Sequence, residues 1–165
     1  MAEETTLIPI TPSGYEKLKE ELKRLKTSDR PKVIGEIAEA RALGDLSENA
    51  EYHAAREKQS FIEGRIMELE SKLSRVQVII VGKGKADKVV FGASVSLIDV
   101  SDDAKGENKC YRIVGDMEAD IKNNDISISS PLAKSLINKT VGDIVVVSLP
   151  RGEKSYEVKD IQFAD

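Results

Sequence analysis

The feature that most constrains this chain is a change of hydrophobic period part-way along it. Tyr15, Leu18, Leu22 and Leu25 step by 3, 4 and 3 residues, and Ile62, Ile66, Leu69, Leu73 and Val76 step by 4, 3, 4 and 3. Alternating steps of three and four keep side chains on one helix face and make the seam of a coiled coil. Beyond residue 88 the helical spacing gives way to short alternating or continuous apolar runs, which are strand patterns. The two periods predict an α+β chain: an antiparallel coiled-coil hairpin at residues 1–82 and a compact antiparallel β domain with a short helix at 83–165. The Gly/Lys-rich stretch Gly82–Lys88 lacks apolar periodicity and reads as the linker.

Within the first half, Thr11, Pro12 and Ser13 form a helix start signal. Pro31 predicts a kink or short break, after which Ile34, Ile37, Ala38 and Arg41 resume helical spacing. Gly44 suits the end of one helix, and Asp45 or Ser47 the N-cap of the next. The second helix is expected over 48–77, about 45 Å at 1.5 Å per residue. A body of roughly 80 residues has a radius of gyration near 12 Å. The turn at 44–48 is therefore expected to project as the tip of an arm.

In the second half, Val89–Leu97 reads as a strand with a bulge at Gly92. Tyr111–Val114, Ile126–Ile128, Asp143–Leu149 and Tyr156–Phe163 read as four more. Ser130 and Pro131 open a short helix as N-cap and first residue. Cys110 lies in a strand pattern and is expected to be a small buried apolar group.

The tip run Gly44-Asp45-Leu46-Ser47-Glu48-Asn49 carries two carboxylates three residues apart. One reading is a capping box, Asp45 as N-cap and Glu48 reaching back to it. The other is a pair of oxygen ligands for Mg²⁺, an ion that takes one or two carboxylates and keeps several waters. Two exposed carboxylates hold Mg²⁺ weakly, so such a site needs a partner's ligands. Arg41 and Arg56 flank the tip, suited either to ion pairs with Glu39 or Glu57 or to phosphate contact. Tyr52 reads as seam packing and His53 as a solvated helix residue.

Composition narrows the classes. The 25 Lys and Arg nearly balance 29 Asp and Glu, and each half carries a net charge of −2: 13 basic against 15 acidic over 1–82, 12 against 14 over 83–165. That argues against a protein that coats duplex nucleic acid by charge. One Cys and one His exclude a disulfide framework and a Cys- or His-clustered metal site. No apolar run reaches the ~20 residues of a membrane span. The opening MAEETTLIPI has no secretory pattern, so a cytoplasmic chain is expected.

The run Ala40-Arg41-Ala42-Leu43-Gly44-Asp45-Leu46-Ser47-Glu48-Asn49-Ala50-Glu51-Tyr52-His53-Ala54-Ala55-Arg56-Glu57 closely resembles the tip of the bacterial transcript-cleavage factors of the Gre type. Ser60–Ile66, Thr11–Tyr15, Phe91-Gly92-Ala93, Tyr111–Gly115 and Ser130–Ala133 extend the resemblance over almost the whole chain. It implies a C-terminal FKBP-like domain that docks on RNA polymerase through Ser130 and Pro131. It also implies a hairpin that enters the polymerase secondary channel as a monomer. Asp45 and Glu48 would there help the polymerase hold a second Mg²⁺ and an attacking water. Polymerase would then cleave the extruded 3′ end of its nascent RNA, with Arg41 and Arg56 contacting that RNA. On this view the chain is an accessory factor and no enzyme by itself. The alternatives are a non-catalytic channel-occupying inhibitor and an FKBP-like prolyl isomerase or chaperone.

Overall fold

The structure is a computed structural model that describes residues 6–45, 48–101 and 106–163. The chain packs as two compact units. One spans Tyr15–Val76, and the other joins Leu7–Gly14 to the chain from Gln77 onward.

The first unit is a helical hairpin. The backbone stays helical through α1 (Pro12–Arg24), a π-turn (Leu25–Asp29) and α2 (Arg30–Ala42), and α3 (Ala50–Leu73) forms the other limb. Pro31 interrupts the α-helical ladder, and the interruption is the π-turn instead of a break. Proline has no N–H to donate to a preceding carbonyl. The Arg30 N–H reaches back to the Leu25 carbonyl, one residue further than in an α-helix. The Thr27 hydroxyl donates to the Lys23 carbonyl at 2.7 Å.

The π-turn corrects the expected seam. Leu18, Leu25, Val33 and Ala40 are buried, at spacings of 7, 8 and 7. The extra residue in the middle is the one the wider turn absorbs. An uninterrupted heptad from Leu22 and Leu25 would instead place Asp29, Lys32, Glu36 and Glu39 in the seam. The expected continuation through Ile34, Ala38 and Arg41 is thus one residue out of phase: all three are exposed, and Ile37 is half-buried. Across from this seam α3 buries Tyr52, Ala55, Ile62, Ile66 and Leu69.

Ion pairs flank the seam. Arg30 donates through Nε and Nη2 to both Glu63 oxygens at 2.7 and 2.8 Å. Arg65 does the same to Glu21 at 2.7 and 3.1 Å. Lys58 meets Glu36 at 3.1 Å, and Lys26 pairs with Glu70. The Arg30 fork holds the Glu63 carboxyl below its ordinary pKa. These pairs are half-exposed, so solvent screens them and each adds little to stability.

α3 ends at Leu73, short of the expected residue 77. The chain leaves the helix because Val76–Val78 forms strand β2, paired with β1 (Ile8–Ile10). At 24 residues α3 is about 36 Å long.

The second unit is built on a six-stranded sheet. Its order is β3 (Gly84–Lys85), β8 (Gly152–Phe163), β4 (Ala93–Asp99), β5 (Asn108–Val114), β6 (Asp125–Ser127), with β7 (Ile144–Leu149) paired to β8. Every pair is antiparallel except β5 with β6, which is parallel. The stretch read as a linker contributes β3, whose Gly84 and Lys85 pair with Phe163 and Gln162. Inward residues of β4, β7 and β8 close one core with α4 (Pro131–Leu136): Val95, Leu97, Val145, Val147, Tyr156, Val158, Ile161, Ala133 and Leu136 are all buried.

Three local expectations change here. The strand begins at Ala93 and not Val89, because Gly92 turns the chain with φ +84°. A Cβ there would sit 2.2 Å from the Val81 side chain. The β-bulge lies further along, where Ser96 pairs with Asp160 but Leu97 with Val158, leaving Lys159 as the extra residue. Cys110 is exposed, since β5 turns it away from the core.

Candidate functional site

The hairpin's connecting turn is shaped by its two helix ends. α2 stops at Leu43, whose N–H donates to the Ala40 carbonyl at 3.2 Å. Gly44 follows with φ +129°, a conformation that L side chains rarely adopt and that suits a helix C-terminus. On the other limb the N-cap is Asn49. Its Oδ1 accepts from the Tyr52 N–H at 3.0 Å, and its Nδ2 donates to the Ala40 carbonyl at 2.5 Å. One side chain thereby starts α3 and ties it to the end of α2.

This assignment corrects the capping-box reading. Asp45 does not cap α3, and Glu48 precedes the cap; Ser47, the other cap candidate, lies outside the described residues. Asp45 and Glu48 instead line one open concavity of about 400 Å³ with Leu43, Asn49, Ala50 and Glu51. Two hard carboxylate oxygen donors suit Mg²⁺, but they fill only part of its shell. No group of three or more His, Cys, Asp or Glu able to hold a metal occurs among the described residues. Asp45 and Glu48 are the tip's two described carboxylates on this concavity that the sequence pointed to as oxygen donors.

Behind the tip the two sides of the hairpin differ in chemistry. One groove, of about 300 Å³, is lined by Ile34, Ile37, Arg41, Tyr52, Arg56 and Gln59. The fold thus brings together the two arginines that are 15 positions apart in the sequence. Arg56 Nη1 donates to the Tyr52 hydroxyl at 3.4 Å, and its guanidinium sits 5.8 Å from the Tyr52 ring centroid. Tyr52 is buried in the seam as the spacing predicts, so it props Arg56 and offers no open ring face for a base. Neither arginine makes an ion pair among the described residues, in contrast to the pairing expected with Glu39 or Glu57. The opposite groove carries Glu36, Glu39 and Glu51 beside Lys58.

In the second unit, Ser130 and Pro131 stand where the motif places them. Ser130 is the N-cap of α4, accepting from the Ala133 N–H at 3.2 Å, and Pro131 is the first helical residue and exposed. Asp116, not singled out by sequence, lies beside them. It accepts from the Ser127 and Ser129 hydroxyls, the latter at 2.7 Å, and these bonds hold its carboxyl below the usual aspartate range. Its only sequence signal is an acid directly after a Val-Gly strand end.

Two family descriptions match the chain in succession. Residues 8–78 match the N-terminal region of a transcription elongation factor, and residues 83–163 the GreA/GreB C-terminal region. The chain belongs to the GreA/GreB family of transcription elongation factors. Its relatives include the transcription elongation factor GreA of Thermodesulfovibrio yellowstonii, 57% identical over 159 residues that cover 96% of this chain and 99% of that one. The GreA of Anaeromyxobacter sp. strain K is 54% identical over 96% of this chain and 93% of its own. Among solved structures, Gfh1 of Thermus aquaticus is similar at 28% identity and a TM-score of 0.43, covering 94% and 98%. No helix among the described residues is long and apolar enough to cross a membrane.

Proposed function

We propose that this chain binds bacterial RNA polymerase as a cytoplasmic monomer and enters its secondary channel with the tip of the hairpin. There it stimulates the polymerase's own Mg²⁺-dependent cleavage of a backtracked RNA 3′ end, rescuing arrested complexes. The observation that carries this reading is that Asn49 takes the helix cap while Asp45 and Glu48 share one concavity at the turn.

Asp45 and Glu48 act as oxygen ligands supplied in trans and orient the attacking water through acceptor oxygens. Together with ligands of the polymerase they would hold Mg²⁺, which would supply charge neutralisation at the reacting phosphate. Water adds to the scissile phosphorus and the bond to the RNA 3′ oxygen breaks. The products are a new 3′ hydroxyl on the transcript and a released fragment bearing a 5′ phosphate. Arg41 and Arg56 hold the phosphates of the extruded RNA, Arg56 being oriented by Tyr52. Ser130 and Pro131 dock the second unit on polymerase. The chain remains an accessory factor, because the reacting centre belongs to the polymerase.

The test is RNA cleavage in a stalled, backtracked transcription complex with Mg²⁺. The intact chain shortens the transcript from its 3′ end. Asp45→Ala and Glu48→Ala bind polymerase but lose at least about 10-fold in cleavage rate, as expected when a metal's ligand sphere is damaged. An intact chain that binds without stimulating cleavage overturns the proposal and leaves a channel-occupying regulator. Isomerisation of a proline peptide above the uncatalysed rate would instead indicate an isomerase.

A further inference from the structure

The single parallel strand pair of the sheet has a local consequence at the docking loop. Because β5 and β6 run the same way, with Val114 opposite Ser127, their C-terminal ends lie side by side. This puts Asp116, two residues past β5, against Ser127 and Ser129, which are 11 and 13 positions further along the chain. The base of Asp116 is fixed. Gly115 lies so close to the Pro9 carbonyl that a Cβ would fall 2.0 Å from its oxygen, and the Gly115 N–H donates to Glu118 at 2.9 Å.

From this fixed base one carboxylate oxygen, Oδ1, accepts from both serine hydroxyls. The turn is then closed by the Ser129 N–H to the Ser127 hydroxyl at 3.1 Å and by the Ser130 N–H to the Ser127 carbonyl at 2.9 Å. Its far end is anchored by α4, whose Ala133 and Leu136 are fully buried. The segment Ser127–Pro131 is thus pinned to the core on one side and to Asp116 on the other.

We infer that Asp116 is the positioning residue of the polymerase-docking loop, presetting Ser129, Ser130 and Pro131 in their binding conformation. The inference rests on the reading of Ser130 and Pro131 as docking residues. A preset loop loses less conformational freedom on association, so its removal weakens binding without altering chemistry once bound. A carboxylate that accepts two hydroxyls is replaced in part by an amide, which keeps one carbonyl acceptor.

The experiment titrates the full chain into backtracked transcription complexes and reads two quantities, the maximal cleavage rate and the concentration for half-maximal stimulation. Asp116→Ala is expected to raise the half-maximal concentration about 10-fold and leave the maximal rate unchanged. Asp116→Asn recovers most of the loss, and Ser129→Ala reproduces part of it. Pro131→Glu serves as the control on docking itself. If Pro131→Glu raises the half-maximal concentration while Asp116→Ala does not, the positioning role is overturned and the docking reading stands. If neither variant changes it, the docking reading falls and this inference with it. A lowered maximal rate in Asp116→Ala also overturns the proposal, because it places the residue in the cleavage step. Asp116 is exposed, and circular dichroism of each variant checks that the sheet unit remains folded.

Discussion

The hairpin and the sheet unit are held together in different ways. The hairpin buries its apolar residues in single file, from Leu18 to Ala40 on one limb and Tyr52 to Leu69 on the other, and fastens the flanks with cross-limb ion pairs. The sheet unit gathers residues from β4, β5, β7, β8 and α4 around one centre. A line of contacts can be lengthened without adding a new layer, whereas a cluster gains stability only by growing in all directions. The hairpin is therefore suited to reach and the sheet unit to anchoring. The tip at Asp45 and Glu48 sits on the part built for length, and Ser130 and Pro131 on the part built for rigidity.

Three substitutions sharpen this contrast. The largest effect is expected for Leu136→Ala, a fully buried side chain in the cluster. It should destabilise the sheet unit by ~2–5 kcal/mol, as deletion of a packed leucine does. Hydrogen exchange of the β4 and β8 amides would rise while that of α3 stays put; equal loosening of both units would break the comparison. Asn49→Ala should cost about 1 kcal/mol, the usual worth of a helix cap. Its effect should be confined to the first turn of α3 and read at the Tyr52 amide. The smallest effect has the opposite sign. Gly64 lies inside α3, where a Cβ would meet nothing within 4 Å. Gly64→Ala should raise hairpin stability by ~0.5–1 kcal/mol, visible as a higher melting temperature at 222 nm. A loss of stability there would mean that the helix surface is more tightly engaged than the line of contacts suggests.

How far the residues announced this arrangement depends on how local each cause is. The seam of α3 was legible where Ile62, Ile66 and Leu69 keep step, but Val76, read as its continuation, lies past the helix end in β2. The seam of α2 was misread because Ile34 and Ile37 offer a plausible apolar pair just beyond Pro31. The better signal was the spacing of 8 from Leu25 to Val33, flanked by spacings of 7. At the tip, Asp45 and Glu48 satisfy the spacing of a capping box, yet Asn49 is one turn better placed and bonds both limbs. Half of that choice is local, the cap on the Tyr52 N–H, and half is made across the hairpin, where the bond to the Ala40 carbonyl leaves no trace in a local window. The parallel direction of β6 and the exposure of Cys110 were hidden for the same reason, since strand direction and face are set by neighbours far along the chain. The carboxylates, the two arginines and the Ser-Pro turn were all visible. Asp116 was not, because nothing marks it until β5 and β6 lie side by side.

The π-turn has one more consequence. It takes up a residue without rotating the seam, so the hairpin is metered in layers of packing and not in residue numbers. Anyone grafting this tip onto another pair of helices would need to splice at Val33 or beyond and match layer to layer. A graft aligned by counting from Leu25 would arrive rotated by one residue, with the acidic and basic grooves turned away from their native sides of the hairpin.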